Sequence, residues 1–348
     1  MRFGVYCFSG VFSEDALLPV YKGSSFRGVF GVALKDVVCA LKRPDCKGCL
    51  LCSTCVYSFI FEPAAVLDRR DRTFRTASPP HPYVIEPPLD PKTRYGSGEK
   101  FSFNLLLLGA SNDYLPYFVY AFERMGKRGI GKAVNGRRPR FLLETIEAGG
   151  MAVFSSEEGV LRQGDFATEL GKEQLMRLGN EDVRQIAVDF ITPLRLKHRN
   201  SLTAELPFHV LIRAALRRIA SLFERFGDGE PALDYRGLVA RAYNVATIDS
   251  SLHWLDWKRY SNRQEQSMLM GGMTGRVVYS GDIAEFVPLL RFCEQVHLGK
   301  QTTFGLGKFR LTLSPGDESG ETGAASGSEK IRLSPFPPVG EGWSEGES

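Results

Sequence analysis

No apolar run in these 348 residues approaches the roughly 20 needed to cross a bilayer as a helix. The N-terminus, Met1-Arg-Phe-Gly-Val-Tyr-Cys7, lacks the apolar stretch and small-residue cleavage site of a secretory signal. The expectation is a soluble, cytoplasmic protein with no membrane partner. There is no Walker motif, no GxSxG elbow and no HExxH pair, which removes the common signatures of P-loop nucleotide hydrolysis, serine esterases and zinc proteases. Histidine is scarce: His81, His198, His209, His253 and His297 are the only five, so few groups can move protons near neutral pH. Cysteine is scarce outside one stretch. Only Cys7 and Cys293 of the seven lie apart from Cys39–Cys55, which argues against a secreted disulfide framework.

Glycine and positive charge, by contrast, occur together twice. His297-Leu-Gly-Lys-Gln-Thr-Thr-Phe-Gly-Leu-Gly-Lys308 sets Gly299, Gly305 and Gly307 among Lys300, Thr302, Thr303 and Lys308. Such a loop can turn backbone N–H groups toward phosphate oxygens. Gly126-Lys-Arg-Gly-Ile-Gly-Lys132 is a second such run, half a chain earlier. It opens a stretch with Lys127, Arg128, Lys132, Arg137, Arg138 and Arg140 and no acid, the density that neutralises a nucleic-acid backbone. A third basic group, Arg195, Lys197, His198 and Arg199, follows a strand end, and Arg259 and Tyr260 follow Trp254 and Trp257, a pattern suited to stacking on unpaired bases. Net charge is +4, but residues 314–348 hold seven acids against Lys330 and Arg332, leaving 42 basic and 33 acidic residues in the body. A basic body with an acidic Gly/Ser-rich tail points to a polyanion partner and a disordered terminus.

Apolar periodicity divides the chain in two. Strands are expected at 2–9, 57–61, 101–108 and 141–146, with helices at 26–41 and 113–125 and a long irregular stretch at 63–99. The second half repeats the order: strand 183–191, a helix at 208–226, another near 235–246, strands 252–260 and 277–279, helix 282–296 and strand 308–313. Each half reads βαββαβ, so the expected class is α+β with two ferredoxin-like (RRM-like) domains in tandem, 1–149 and 183–313. Residues 150–182 would link them, with a hairpin at 151–163.

The cysteine cluster, Cys39, Cys46, Cys49, Cys52 and Cys55, has two CxxC pairs after a helix. Four thiolates would close a structural zinc site; an iron–sulfur cluster and metal-free thiols are the alternatives. His198 and His297 are the candidate proton carriers, each inside a basic segment.

Taken together, these segments resemble the CRISPR-associated repeat-RNA endoribonucleases of the RAMP superfamily. The likeness is carried by Ser25-Phe-Arg-Gly-Val-Phe-Gly31 with the cysteine cluster, Gly129-Ile-Gly-Lys132 to Arg140-Phe141, Thr192-Pro-Leu-Arg-Leu-Lys197, and Trp257-Lys-Arg-Tyr-Ser261 through Gly271-Gly272 to the terminal glycine-rich loop. The resemblance implies an antiviral-defence enzyme that cuts precursor CRISPR RNA without a catalytic metal. The RNA's own 2′-hydroxyl attacks, giving a 2′,3′-cyclic phosphate and a 5′-hydroxyl. It implies repeat RNA as partner, and other CRISPR effector subunits beside it. Many members carry a catalytic histidine in or just after the first helix. None precedes His81 here, so Tyr21 and Lys22, at the mouth of that helix, join the candidates by position. The other readings are a non-catalytic guide-RNA-binding RAMP subunit and a zinc-containing DNA-binding module.

Overall fold

The computed structural model describes residues 1–42, 46, 48–66, 79–162, 164–176, 183–196, 204–261 and 266–315. The first unit runs β1 (Arg2–Phe12), α1 (Gly23–Val38), α2 (Val56–Phe61), β2 (Tyr83–Glu86), β3 (Lys100–Leu108), α3 (Leu115–Arg128) and β4 (Phe141–Ala148). Its strands lie in the antiparallel order β2-β3-β1-β4. Phe26, Phe30, Ala33 and Leu34 recur at helical spacing on α1 and bury against Phe8 of β1 and Phe103 of β3. Phe8 sits 5.0 Å from Phe103 and 4.8 Å from Phe122 of α3, so aromatic packing locks both helices onto one sheet face.

The second unit runs β6 (Val183–Leu194), α4 (Phe208–Phe226), α5 (Tyr235–Ala242), β7 (Ala246–Ser250), β8 (His253–Ser261), β9 (Gln266–Ser280), α6 (Val287–Val296) and β10 (Phe309–Pro315), where β5 is Met151–Ser155 before it. The strand order is β7-β9-β6-β10, and β8 pairs with the remaining length of β9. Both sheets thus carry the βαββαβ order, and the protein is a tandem of ferredoxin-like folds.

Two strand assignments are corrected. Residues 57–61 are rich in aromatic and β-branched side chains, yet they form helix α2, because Tyr57, Ile60 and Phe61 then share one buried face beside α1. The second strand of the fold lies instead at Tyr83–Glu86, inside the stretch expected to be irregular; all four residues are buried. β6 continues through Pro193 to Leu194, with a register shift between Phe190 and Leu194 where proline can give the ladder no N–H. In the stretch read as a linker, β5 pairs with β4, and Thr168–Glu169 pairs with Arg2 and Phe3, so it widens the first sheet.

The Leu105–Leu108 run shows how the units meet. Leu105 and Leu107 join the core under α1 and α3, whereas Leu106 and Leu108 join the core of the second unit with α4 and α6. Alternate residues of a strand face opposite ways, and both faces are covered here, so the sequence is apolar throughout. Among the described residues no helix is long and apolar enough to cross a membrane. The tail beyond Pro315 lies outside the described residues.

Candidate nucleic-acid interface

The glycine-rich loop 297–308 is a wedge between the two units. Thr302, Thr303, Gly305, Leu306 and Gly307 are buried, and several of the loop's N–H groups are already committed. Leu298 donates to the Gly307 carbonyl at 3.0 Å, Lys300 to Arg195 at 3.0 Å, Gly305 to Thr302 at 2.8 Å and Gly307 to Pro193 at 3.1 Å. The Lys308 N–H donates to Thr192 Oγ1 at 2.9 Å. Those N–H groups, expected to face phosphate, close the loop on its own chain. Gly305 has φ +82, and a Cβ there would lie 2.7 Å from the Ile85 carbonyl oxygen and from Pro87 Cδ. Its lack of a side chain admits the first unit's backbone. Gly305→Val combines a left-handed backbone with a steric clash, and should cost roughly 3 kcal/mol or more. Urea unfolding measures this, and an unchanged midpoint would contradict the wedge.

Beside the wedge lies a buried charge cluster that sequence reasoning missed. Glu86, at the end of β2, is 8% exposed. His297 Nε2 lies 2.7 Å from its Oε1, and Lys308 Nζ donates to its Oε2 at 2.8 Å. Asn104 Nδ2 of β3 donates to Oε2 at 2.9 Å. Burial alone would push the Glu86 carboxyl up, but the hydrogen bond and charge of His297, then those of Lys308, hold it well below the usual carboxylate range. A depressed folded-state value adds stability above the unfolded carboxyl pKa, about 4.3, that is lost as pH falls below it. Acid should therefore lower the urea midpoint more steeply in the native protein than in Glu86→Gln. The only sequence hint was Glu86 in an unremarkable Pro-rich segment.

The candidate proton carriers fare differently from the expectation. His297 is fully buried; its Nδ1 lies 3.1 Å from the Leu306 carbonyl oxygen, so both ring nitrogens face acceptors inside the protein. Lys308 is held by Glu86. Tyr21 is buried and donates from its hydroxyl to the Phe304 carbonyl at 2.6 Å; burial, then the Glu86 charge, pushes its pKa up. Lys22 is fully buried and donates from Nζ to the Asp90 carbonyl at 2.6 Å; burial lowers its pKa against the pull of Asp90. His297, Tyr21 and Lys22 are thus all withdrawn from the protein surface. His198 lies outside the described residues, as do Lys197 and Arg199.

The second glycine-basic run keeps its charge in solvent. Asn135 (φ 50) and Gly136 (φ 77) make a tight two-residue turn, closed by hydrogen bonds between Val134 and Arg137 at 2.8 and 3.0 Å. Its base is pinned by Ile130 N–H to the Pro139 carbonyl and Lys132 N–H to the Leu17 carbonyl, both 2.9 Å. Here too several backbone donors are spent internally. Lys127, Lys132, Arg137 and Arg138 are exposed with no acidic partner among the described residues. Arg128 is paired with Asp36 at 2.6 Å and Arg140 with Glu14 at 2.8 Å. In the second unit Lys300 is exposed, while Arg195 is half-buried and donates to the Gly271 carbonyl at 2.8 Å. Gly299 passes close to the Arg195 carbonyl. The backbone of Arg259 and Tyr260 pairs with Met268 and Ser267; their side chains lie outside the description.

Of the cysteines, Cys39 follows the last residue of α1, Cys46 and Cys55 pack on the first core, and Cys52 Sγ lies 3.6 Å from Ser58 Oγ. Among the described residues no three His, Cys, Asp or Glu side chains converge as a metal site. The zinc reading rests on the spacing of the cysteines.

Two ferredoxin-like units are thus joined through a glycine-rich loop, with exposed cations at Lys127, Lys132, Arg137 and Arg138 on the first and Lys300 on the second. Residues 188–309 match the family model of the CRISPR-associated endoribonuclease Cas6, and residues 1–166 match the AF_1859_N N-terminal domain model. Over these two stretches the chain is similar to the CRISPR-associated endoribonuclease Cas6 and to that N-terminal domain. An uncharacterized protein of Archaeoglobus fulgidus is 29% identical over 300 residues, 84% of this chain and 92% of that one. Among solved structures, the Cas6 (TTHB231) product complex, from Thermus thermophilus, superposes with TM-score 0.52 at 13% identity, covering 90% of this chain and all of that one. A partial Cas6-RT-Cas1–Cas2 complex gives TM-score 0.53 at 14% identity over 96% of this chain and 49% of that chain. At those identities the likeness is one of fold.

Proposed function

We propose that this chain cuts precursor CRISPR RNA within its repeats, by attack of the 2′-hydroxyl upstream of the scissile phosphate, leaving a 2′,3′-cyclic phosphate and a 5′-hydroxyl. The observation that carries the reading is the Cas6 endoribonuclease match over 188–309, in a chain whose first unit exposes Lys127, Lys132, Arg137 and Arg138 with no acidic partner among the described residues. Such a reaction needs the hydroxyl held in line, the phosphorane charge neutralised and two protons moved; none of these steps calls for a metal. His198 is the remaining histidine candidate in a basic segment. His198→Ala should slow single-turnover cleavage by about 10²-fold or more if it carries a proton. Wild-type speed would move that role elsewhere.

One observation favours a second reading, a guide-RNA-binding subunit that does not cut: Tyr21, Lys22 and His297 are all buried and committed. Incubation with repeat RNA in a chelator separates the two. Cleavage with a cyclic-phosphate end supports the enzyme; tight binding of intact RNA supports the subunit.

A further inference from the structure

We infer that Glu86 is a positioning residue that sets the angle between the two RNA-contacting units. The inference rests on the reading above, that this chain binds repeat RNA. Apolar contact across the junction is plentiful: Tyr21 packs with Leu255, Met270, Phe304 and Leu306. Such contact is cohesive but not directional, so it resists separation better than it resists sliding. Charge-assisted hydrogen bonds supply direction. Glu86 engages both arms of the wedge at once, His297 where the loop leaves α6 and Lys308 where it enters β10, while Asn104 fixes the carboxylate from the neighbouring strand. The wedge is itself braced between its arms by Leu298 and Gly307, so the pair of oxygens holds a stiff element at two points. Glu86 also follows Ile85, whose carbonyl meets Gly305 at the closest approach of the units.

The angle matters because free cations lie on both sides. Lys127, Lys132, Arg137 and Arg138 belong to the first unit and Lys300 to the second. An RNA that spans both gains the second set of contacts at an effective concentration fixed by their relative placement. A chain that rocks about the junction gives up that second set of contacts, while each unit keeps its own cations.

The test is Glu86→Gln, with Asn104→Ala as a milder variant should the first fail to fold. Binding is measured for the full repeat RNA and for short oligoribonucleotides of about six nucleotides cut from it, across a range of salt. In the variant, full-repeat affinity should fall at least tenfold with a shallower salt dependence, while the short pieces bind as they do to wild type. A folded variant that binds the full repeat like wild type overturns the inference. Equal loss on long and short RNA overturns it too, since that reports local damage. If wild type binds neither, the RNA reading fails, and small-angle scattering then decides this point alone: identical profiles for wild type and variant contradict a positioning role, and a broader variant supports it.

Discussion

Replacing Lys127, Lys132, Arg137 and Arg138 together by glutamine should weaken repeat-RNA binding by about 10²–10³-fold near 0.1 M salt and flatten the log–log salt dependence by about three units. Each cation that neutralises a phosphate of a single strand contributes about 0.7 to that slope, so four contribute close to three. These four were chosen because each is exposed and none is committed to an acid among the described residues. Arg128→Gln is the internal control. Its guanidinium already holds Asp36, so its removal should change the slope less than loss of any one of the four. Lys132, Arg137 and Arg138 lie on or next to a turn whose backbone is closed by its own hydrogen bonds, and Lys127 is exposed in the last turn of α3, so the substitutions should leave stability within about 0.5 kcal/mol. Unchanged slope in a folded variant would mean that RNA meets another surface.

Much of the fold was legible because both halves are patterned strongly. The stripes on α1 and α4 fall at helical spacing, and β3 reads as a buried strand because each of its faces has a core to cover. The second strand of the first unit was not legible. Tyr83–Glu86 sits between prolines, and its four residues are buried because β3 lies beside it and the wedge lies over it, a cause outside the local sequence. Residues 57–61 misled for a related reason: intrinsic preference for strand yields to a face that packs under α1.

The site was legible in charge but not in geometry. The run from Lys127 to Arg138 was identified from density alone, and its side chains stay in solvent. The glycine-rich loop drew attention through its glycines and lysines. Positive φ and close approach are both present at Gly305, but the approaching group is the Ile85 carbonyl of the same chain. Composition cannot tell a phosphate from a peptide oxygen. His297 and Lys308 likewise face Glu86, which lies 211 and 222 residues away in sequence.

The central claim is that this chain cleaves RNA with the RNA's own hydroxyl, and one substrate tests it most directly. A repeat RNA carrying a single 2′-deoxynucleotide just upstream of the cut removes the nucleophile and leaves every phosphate in place. Phosphate contacts, which dominate affinity, are untouched, so binding should match the all-ribose RNA within about twofold. Cleavage at that position should fall by at least about 10³-fold, because no group replaces the attacking oxygen already held beside the phosphate. Single-turnover cleavage of the two substrates, side by side in a chelator, is the measurement. The account predicts full cutting of the ribose RNA and none of the deoxy RNA at equal occupancy; equal cutting of both would contradict it.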